Sequence, residues 1–290
     1  MTSRRDEAGP ADRSRDHDER KRLLREIGAA AADVRLPLAE AALALAARDA
    51  PAAGGPFYRR HLAALAHDIG RAAAPARTIG ERIAALNDIV FGKYAYQGDT
   101  ATYDDLQNAN LMRVIDRRRG LPVALGILCI HGGRAQGWQM SGLAFPGHFL
   151  IRLEHEGERA IIDPFNLGRL RSPSDLREML KATAGKAAEL EPAHYAPVGD
   201  RQVLLRLQNN IKLRLVQCQK LDKALAVVED MLLFAPGHAE LWREAGMLHA
   251  HLENYGAAIA ALEEFLRRAG GGAARQHAAA LLRQLKGRLN

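Results

Sequence analysis

Residues 146–165, with the sequence PGHFLIRLEHEGERAIIDPF, contain the clearest strand signal in the chain. Two apolar runs, 149–153 (FLIRL) and 159–163 (RAIID), flank a short polar stretch that contains a glycine. Apolar runs on either side of such a stretch are typical of a β-hairpin. Most of the remaining sequence shows helical spacing, so the hairpin predicts an α+β fold.

The same hairpin predicts that His148 and Asp163 are neighbours. If the turn is centred between His155 and Glu156, His148 faces Asp163 directly, and a shift of the pairing by two residues makes them diagonal neighbours. Side chains alternate between the two faces of a strand, so both registers place the two side chains on one side of the sheet. The hairpin therefore predicts an imidazole beside a carboxylate.

The sequence before the hairpin predicts a structured loop followed by two helices. Residues 91–105 are aromatic, contain glycine and lack periodicity, which indicates the loop. Residues 111–115 predict a short helix, and a break at 119–122 separates it from an apolar helix over 123–136. Small residues recur along the apolar helix, which indicates burial against other elements. Cys129 lies inside it and is expected to be a buried structural cysteine.

The last part of the chain, residues 200–290, predicts helical repeats. Apolar positions recur after 34 residues, so that Ala224, Val228 and Met231 correspond to Ala258, Leu262 and Phe265. This period is typical of tetratricopeptide repeats. Trp242 lies in the first helix of the second repeat and is a candidate binding residue. Two repeats are fewer than a stable stack usually needs, so we expect them to pack against the central domain or a partner.

Four regions are predicted along the 290 residues. Residues 1–22 alternate in charge sign and contain few apolar residues, which predicts a disordered tail. Residues 23–90 carry apolar residues at helical spacing and predict an N-terminal helical region. A central core over residues 91–190 and the repeats over 200–290 complete the chain.

Composition and charge narrow the classes of protein. The formal net charge is +7, which on its own suggests nucleic acid or an anionic surface as partner. The basic residues are scattered, however, whereas a nucleic-acid footprint clusters them on one face, so nucleic-acid binding is disfavoured. No apolar run approaches the roughly 18 residues of a membrane span, and the charged N-terminus does not resemble a secretory signal. We therefore expect a cytoplasmic protein with free cysteines.

Several short motifs, taken in order, resemble the SirB1-type proteins, a bacterial family described as regulators with transglutaminase-like and tetratricopeptide regions. The matching segments are LNDIVF at 86–91, YQGD at 96–99, RRRGLPVAL at 117–125, PGHFL at 146–150 and IDPF at 162–165. The resemblance implies a transglutaminase-like core of the papain-like cysteine proteinase type. N-terminal helices would precede this core, and an all-α tetratricopeptide region would follow it.

For active transglutaminase-like enzymes the resemblance implies three catalytic positions. These are a cysteine at the start of the central helix, a histidine on one strand and an aspartate on the next. His148 and Asp163 match the last two positions. The cysteine position falls at or beside Pro122 and Val123, and neither side chain can act as a nucleophile. The resemblance therefore implies a residual His–Asp pair without a thiol.

Each candidate binding residue in this region also has an ordinary structural interpretation. Tyr96 belongs to an aromatic loop that either forms a recognition surface or caps a core. Arg119 belongs to a cluster of three arginines that either grips a phosphate or an acidic partner or caps the preceding helix. Gly147 either lets a ligand approach the backbone or makes a turn. The His148–Asp163 pair either lines a pocket or is a satisfied core contact.

These observations support three hypotheses about function. The first is a non-catalytic regulator whose core is a pseudoenzyme and whose C-terminal repeats bind a protein or peptide. The second is a cysteine-independent hydrolase or acyl-transfer enzyme that uses His148 as general base, oriented by Asp163. The third is a nucleic-acid-binding regulator, suggested by charge alone. No cofactor is expected, and the two-residue spacing of His249 and His251 disfavours a metal site. The oligomeric state stays open.

Overall fold

The fold is that of a computed structural model, which describes residues 10–31, 34–49 and 55–289. Its α-helices are α1 (Pro10–Ala29), α2 (Leu38–Ala46), α3 (Gly55–Ala72), α4 (Ile79–Asn87), α5 (Leu111–Arg117), α6 (Pro122–Arg134), α7 (Pro173–Ala184), α8 (Asp200–Gln217), α9 (Leu221–Phe234), α10 (Ala239–His251), α11 (Tyr255–Arg268) and α12 (Ala273–Leu289). Its strands are β1 (Gln97–Gly98), β2 (Arg119–Gly120), β3 (Gln139–Leu143), β4 (Ile151–His155), β5 (Glu158–Asp163), β6 (Arg169–Leu170) and β7 (Pro197–Val198). The α+β prediction is confirmed.

The chain divides into two compact units. Unit 1 contains Met1–His17 and Ala32–Leu207, and unit 2 contains Asp18–Ala31 together with Gln208–Asn290. The start predicted for the repeats, residue 200, is the first residue of α8, and the boundary between the units falls inside that helix. In the parts of both units that the structure describes, no helix is long and apolar enough to cross a lipid bilayer.

Unit 1 packs α6 against a sheet with the strand order β6-β5-β4-β3-β7, in which all neighbours are antiparallel. α6 is buried along most of its length because it is apolar on every side. Gly126 of α6 and Gly142 of β3 both face the ring of Phe149, where a β-carbon would overlap the ring. The small residues of α6 therefore let the helix approach the sheet closely.

The turn of the β4–β5 hairpin lies one residue later than the position between His155 and Glu156. His155 pairs with Glu158, so that Glu156 and Gly157 form a two-residue turn. Both turn residues have positive φ, 50° and 84°, as the most common two-residue hairpin turn requires. Of the two registers that the sequence left open, the structure has the one shifted by two residues, in which His148 and Asp163 are diagonal neighbours. The turn forms around the glycine because glycine adopts positive φ without steric cost.

The disordered tail predicted for residues 1–22 is wrong from residue 10 onward, where α1 begins. Residues 1–9 lie outside the described residues. Leu24 of α1 is buried, and Arg20 forms a buried ion pair with Asp230 of α9, with 2.8 Å between Nη1 and Oδ2. A partner this distant in sequence orders a segment whose own composition favours disorder.

Unit 2 consists of helices, and α9, α10, α11 and α12 each pack against the next. The apolar residues that the 34-residue spacing identified on α9 and α11 are buried. Gly246 of α10 lies against Leu262 of α11, where a β-carbon would come 2.7 Å from Leu262 Cγ. α12 packs against α11 and α1 packs against α9, so unit 2 contains more helices than the two predicted pairs.

Candidate functional site

The His–Asp pair lies at the open end of the β4–β5 hairpin. His148 precedes β4 by three residues, and Asp163 is the last residue of β5. His148 Nε2 is 2.9 Å from Asp163 Oδ1, so the structure brings the two side chains together. An ionised carboxylate can only accept a hydrogen bond, so Nε2 carries the proton that it donates. In the neutral imidazole, Nδ1 is then the atom with a free lone pair.

Asp163 is fully buried and surrounded by hydrogen-bond donors. It accepts hydrogen bonds from the backbone N–H groups of Phe165 and Asn166, and from Arg171 Nη2 at 2.6 Å. Burial alone would raise the pKa of Asp163, but the hydrogen bonds from His148 and Arg171 outweigh it and lower the pKa to about 2. The carboxylate is therefore a fixed negative charge that orients His148.

Packed apolar side chains fill the position at which active relatives would carry a cysteine. Pro122 and Val123 begin α6, and both are buried. Pro122 also lacks the backbone N–H that another residue at the start of a helix would offer to an anion. Farther along α6, Cys129 is fully buried, and burial raises the pKa of its thiol to about 12. The prediction of a buried structural cysteine is confirmed, and no thiolate forms there at neutral pH.

Aromatic side chains border the pair. The rings of His148 and Phe165 meet edge to face with 6.2 Å between centroids, and Tyr103 lies 5.7 Å from Phe165. Phe165 packs on Gly98 of β1, where a β-carbon would come 2.6 Å from the Phe165 carbonyl oxygen. The side chain of His148 remains 20% exposed. The imidazole is thus held by its neighbours and still reachable from solvent.

Comparison with known proteins places the chain in a family. A family model described as the transglutaminase-like superfamily matches residues 57–209, and a tetratricopeptide repeat model matches residues 211–286. The chain belongs to the SirB1 family of transglutaminase-like proteins. The predicted family and its combination of a transglutaminase-like core with tetratricopeptide repeats are confirmed.

Three relatives show how far the SirB1-family similarity extends. A UPF0162 protein of Xylella fastidiosa (strain Temecula1) is 30% identical over 64% of this chain and 67% of the relative. A UPF0162 protein of Vibrio cholerae is 29% identical over 80% of this chain and 86% of the relative. Protein SirB1 of Salmonella typhimurium is 26% identical over 64% of this chain and 69% of the relative.

Gly147, within the SirB1-family motif PGHFL, makes a turn. Its φ is +71°, and the methyl group of Thr183 lies where a β-carbon would be. Both features require a glycine, whether or not a ligand approaches the backbone here.

Tyr96, in the SirB1-family motif YQGD, was a candidate binding residue in a loop that either forms a recognition surface or caps a core. Its side chain is fully buried, and its hydroxyl lies 2.8 Å from His61 Nε2 and 2.7 Å from Arg118 Nη1. Of the two interpretations of the aromatic loop, Tyr96 fits the one in which the loop caps a core. Spacing could not separate them, because His61 lies 35 residues away in sequence.

The three arginines of the SirB1-family motif RRRGLPVAL have different surroundings in the structure. Arg117 pairs with Asp99, with 2.9 Å between Nη2 and Oδ2. Arg118 turns inward, and Arg119 is exposed on β2. The cluster therefore does not present one cationic surface, and Arg119 is the most exposed of the three.

Trp242 contributes to packing within the SirB1-family repeats. Its indole N–H donates a hydrogen bond to Pro236 O at 2.9 Å, and its ring packs against the cluster that contains Leu262 and Phe265. The sequence analysis missed the exposed apolar side chains of unit 2. These are Leu213, 56% exposed, Val216, 38%, and Met247, 49%. The sequence signal that could have identified them is an apolar residue on the helix face that points away from the repeat core.

In unit 1 a cavity of about 240 Å³ lies among polar side chains. Its lining includes Arg82, Trp138, Glu154, His155 and Glu156. None of these was a predicted site residue, and the cavity does not include His148. Among the described residues, no group of histidine, cysteine, aspartate and glutamate side chains could hold a metal ion.

Proposed function

We propose that this protein is a non-catalytic regulator located in the cytoplasm. Its transglutaminase-like core is a pseudoenzyme, and its repeats bind a protein or peptide. The observation that carries this proposal is the start of α6. There Pro122 and Val123 are buried in the place of a nucleophile. A covalent acyl intermediate needs a nucleophilic side chain at that point, next to the base.

The two cysteines of the chain give no substitute. Cys129 is fully buried with a raised pKa, and Cys218 is exposed beyond the end of α8 in unit 2. The Asp163 carboxylate orients His148, and it also accepts hydrogen bonds from Asn166 and Arg171. These additional hydrogen bonds give the carboxylate a structural role. The pair therefore serves to hold β5 and the segment before β4 together.

The repeats supply the binding part of the proposal. Leu213 and Val216 are exposed on α8, and Met247 is exposed on α10. Lys212 and Glu244, which form an ion pair at 2.6 Å, link these two helices. The first helices of neighbouring repeats thus carry apolar side chains next to charged ones. Such a mixture suits a peptide that brings both apolar and charged side chains.

A second candidate function rests on His148 itself. Its Nε2 is oriented by an ionised carboxylate, its Nδ1 is not the atom bound to Asp163, and its side chain is 20% exposed. A base of this kind can activate water without a thiol. This is the hydrolase alternative, and it predicts activity that depends on His148.

The proposal is tested by affinity capture from a bacterial lysate with the full-length chain and three variants. Leu213→Asp combined with Met247→Asp changes the repeat surface, His148→Ala removes the base, and Leu170→Asp is the control at another exposed apolar residue, 51% exposed in unit 1. We expect the repeat variant to lose at least tenfold of a captured protein that the other two retain. Equal capture by the repeat variant would contradict the role of the repeats.

A further inference from the structure

Arg118 lies at an unusual point of the backbone behind β1 and β2. It follows α5 as the C-terminal capping residue, with φ of 58° and ψ of 22°. Residues other than glycine and asparagine rarely adopt this left-handed backbone conformation. Its guanidinium is half-buried and held in place. Nη1 is 2.7 Å from Tyr96 OH and 2.8 Å from His61 Nε2.

Two aromatic rings fix the plane of this guanidinium. Arg118 Cζ lies 4.9 Å from the centroid of Tyr96 and 5.5 Å from that of Tyr94. His61 meets the ring of Tyr94 edge to face at 5.3 Å. Cation–π contacts of this kind stabilise an arginine without neutralising its charge. The side chain is therefore rigid and still cationic.

The acidic groups near Arg118 are bound to other donors. Asp116 accepts a hydrogen bond from Tyr58 at 3.0 Å, and Asp68 accepts one from Tyr94 at 2.8 Å and one from Lys93 at 2.7 Å. Within the described ranges, no carboxylate forms an ion pair with Arg118. Its Nε and Nη2 atoms likewise contact no acceptor in those ranges.

His61 does not offset or add to this charge at neutral pH. Burial, followed by the neighbouring Arg118, lowers the pKa of His61 to about 4, so the imidazole is neutral. Burial also raises the pKa of Tyr96, which keeps the phenol protonated. The group formed by His61, Tyr94, Tyr96 and Arg118 thus carries one uncompensated positive charge.

We propose that the Nε and Nη2 edge of Arg118 binds an oxyanion, the carboxylate or phosphate group of a small ligand. With Nη1 engaged inside the protein, Nε–H and Nη2–H form the parallel pair of donors that matches two oxygens of such a group. The fixed side chain loses little conformational entropy on binding, which favours affinity. This inference does not depend on the function proposed for the repeats.

Isothermal titration calorimetry of the full chain with inorganic phosphate and with acetate, at constant ionic strength, tests this site. Arg118→Gly is the main variant, because glycine accepts the left-handed conformation and so preserves the backbone. Arg119→Gln is the matched control, since it removes the same charge from an exposed neighbour. We expect Arg118→Gly to weaken binding at least tenfold and Arg119→Gln to change it less than twofold. Tighter binding of phosphate would identify a phosphoryl ligand, and tighter binding of acetate a carboxylate.

Three outcomes would overturn the site: no saturable binding of either anion to the wild type, equal binding by Arg118→Gly, or an equal loss in Arg119→Gln. Circular dichroism checks that the variants fold. If Arg118→Gly does not fold, Arg118→Lys decides, because lysine keeps the charge but lacks the paired donors. We expect that variant to bind several-fold more weakly than the wild type, and unchanged binding would overturn the proposal.

Discussion

Replacement of Asp163 by asparagine tests whether one buried carboxylate holds the site together. The Asp163 carboxylate accepts six hydrogen bonds from the residues that the structure describes, one from His148, one from Phe165, two from Asn166 and two from Arg171. Asparagine keeps the size but turns one acceptor oxygen into a donor and leaves Arg171, whose side chain is 12% exposed, without its counter-charge. Breaking a buried ion pair from one side costs about 3–5 kcal/mol, and we expect a loss in that range at neutral pH.

The loss of stability caused by Asp163→Asn should become smaller as the pH falls. The pKa of Asp163 falls from its ordinary 3.8 to about 2 in the folded protein. A lowered pKa stabilises the fold fully above about pH 4, and this contribution disappears as the pH falls toward about 2. A difference of nearly two pKa units corresponds to about 2.5 kcal/mol. The stability gap between wild type and Asp163→Asn should therefore narrow by about this amount in acid.

The two tryptophans of the chain allow unit 1 to be followed separately. Trp138 lies in unit 1 and Trp242 in unit 2, so Trp242→Phe leaves a single fluorescent reporter of unit 1. Urea unfolding of Asp163→Asn in that background gives the free energy of unfolding at neutral pH and in acid. Glu178→Gln, at an exposed carboxylate of α7, is the control and should change stability by less than about 0.5 kcal/mol. A loss below about 1 kcal/mol for Asp163→Asn at neutral pH, or a gap that does not change with pH, would refute the reasoning.

Three further predictions concern other parts of the molecule. Arg20→Leu should destabilise unit 2 by about 3–5 kcal/mol, because the buried Asp230 carboxylate loses the positive charge of Arg20. Adding Asp230→Leu should recover part of this loss in urea unfolding, and a purely additive loss would contradict the pair. Val123→Cys in a Cys218→Ser background should not react with a thiol reagent in the native protein, because residue 123 is 2% exposed; rapid labelling would show that the start of α6 opens. The pKa of His61 is lowered from 6.5 to about 4, so stability should fall as the pH drops through that range. His61→Gln should remove this part of the pH dependence of unfolding, and an unchanged profile would count against it.

Local patterns in the sequence were sufficient for the main architecture. Two-residue alternation identified the hairpin and placed His148 and Asp163 on one side of it, and the structure finds them 2.9 Å apart. The 34-residue spacing identified the repeat helices, since Ala224 and Ala258 occupy equivalent buried positions. In each case the information lies within one or two neighbouring elements, which is why it can be read from the sequence.

Contacts between distant segments account for what the sequence analysis missed. α1 is ordered by the pairing of Arg20 with Asp230, a partner that no local pattern identifies. Tyr96 is buried where His61 of α3 and Arg118, which follows α5, converge on its hydroxyl. The two hairpin registers that the strands allowed could not be separated from the strands alone, because the choice depends on Gly157 in the turn.

The candidate site was predictable in its composition but not in its environment. The sequence identified His148, Asp163 and the missing thiol at Pro122 and Val123. It did not identify Arg171, which reaches the carboxylate from beyond β6 at 2.6 Å. Nor did it indicate how fully the start of α6 is packed. Both depend on side-chain packing in three dimensions.

The central claim, that the core is a pseudoenzyme, is tested most directly by the rate of acyl-substrate turnover with and without His148. Initial rates of p-nitrophenyl ester hydrolysis and of amide hydrolysis are compared for the wild-type protein and His148→Ala at equal concentration. We expect the two proteins to give the same rates, because the thiol position holds buried Pro122 and Val123. Turnover by the wild type that is lost in His148→Ala would contradict it and would establish the His148–Asp163 pair as catalytic.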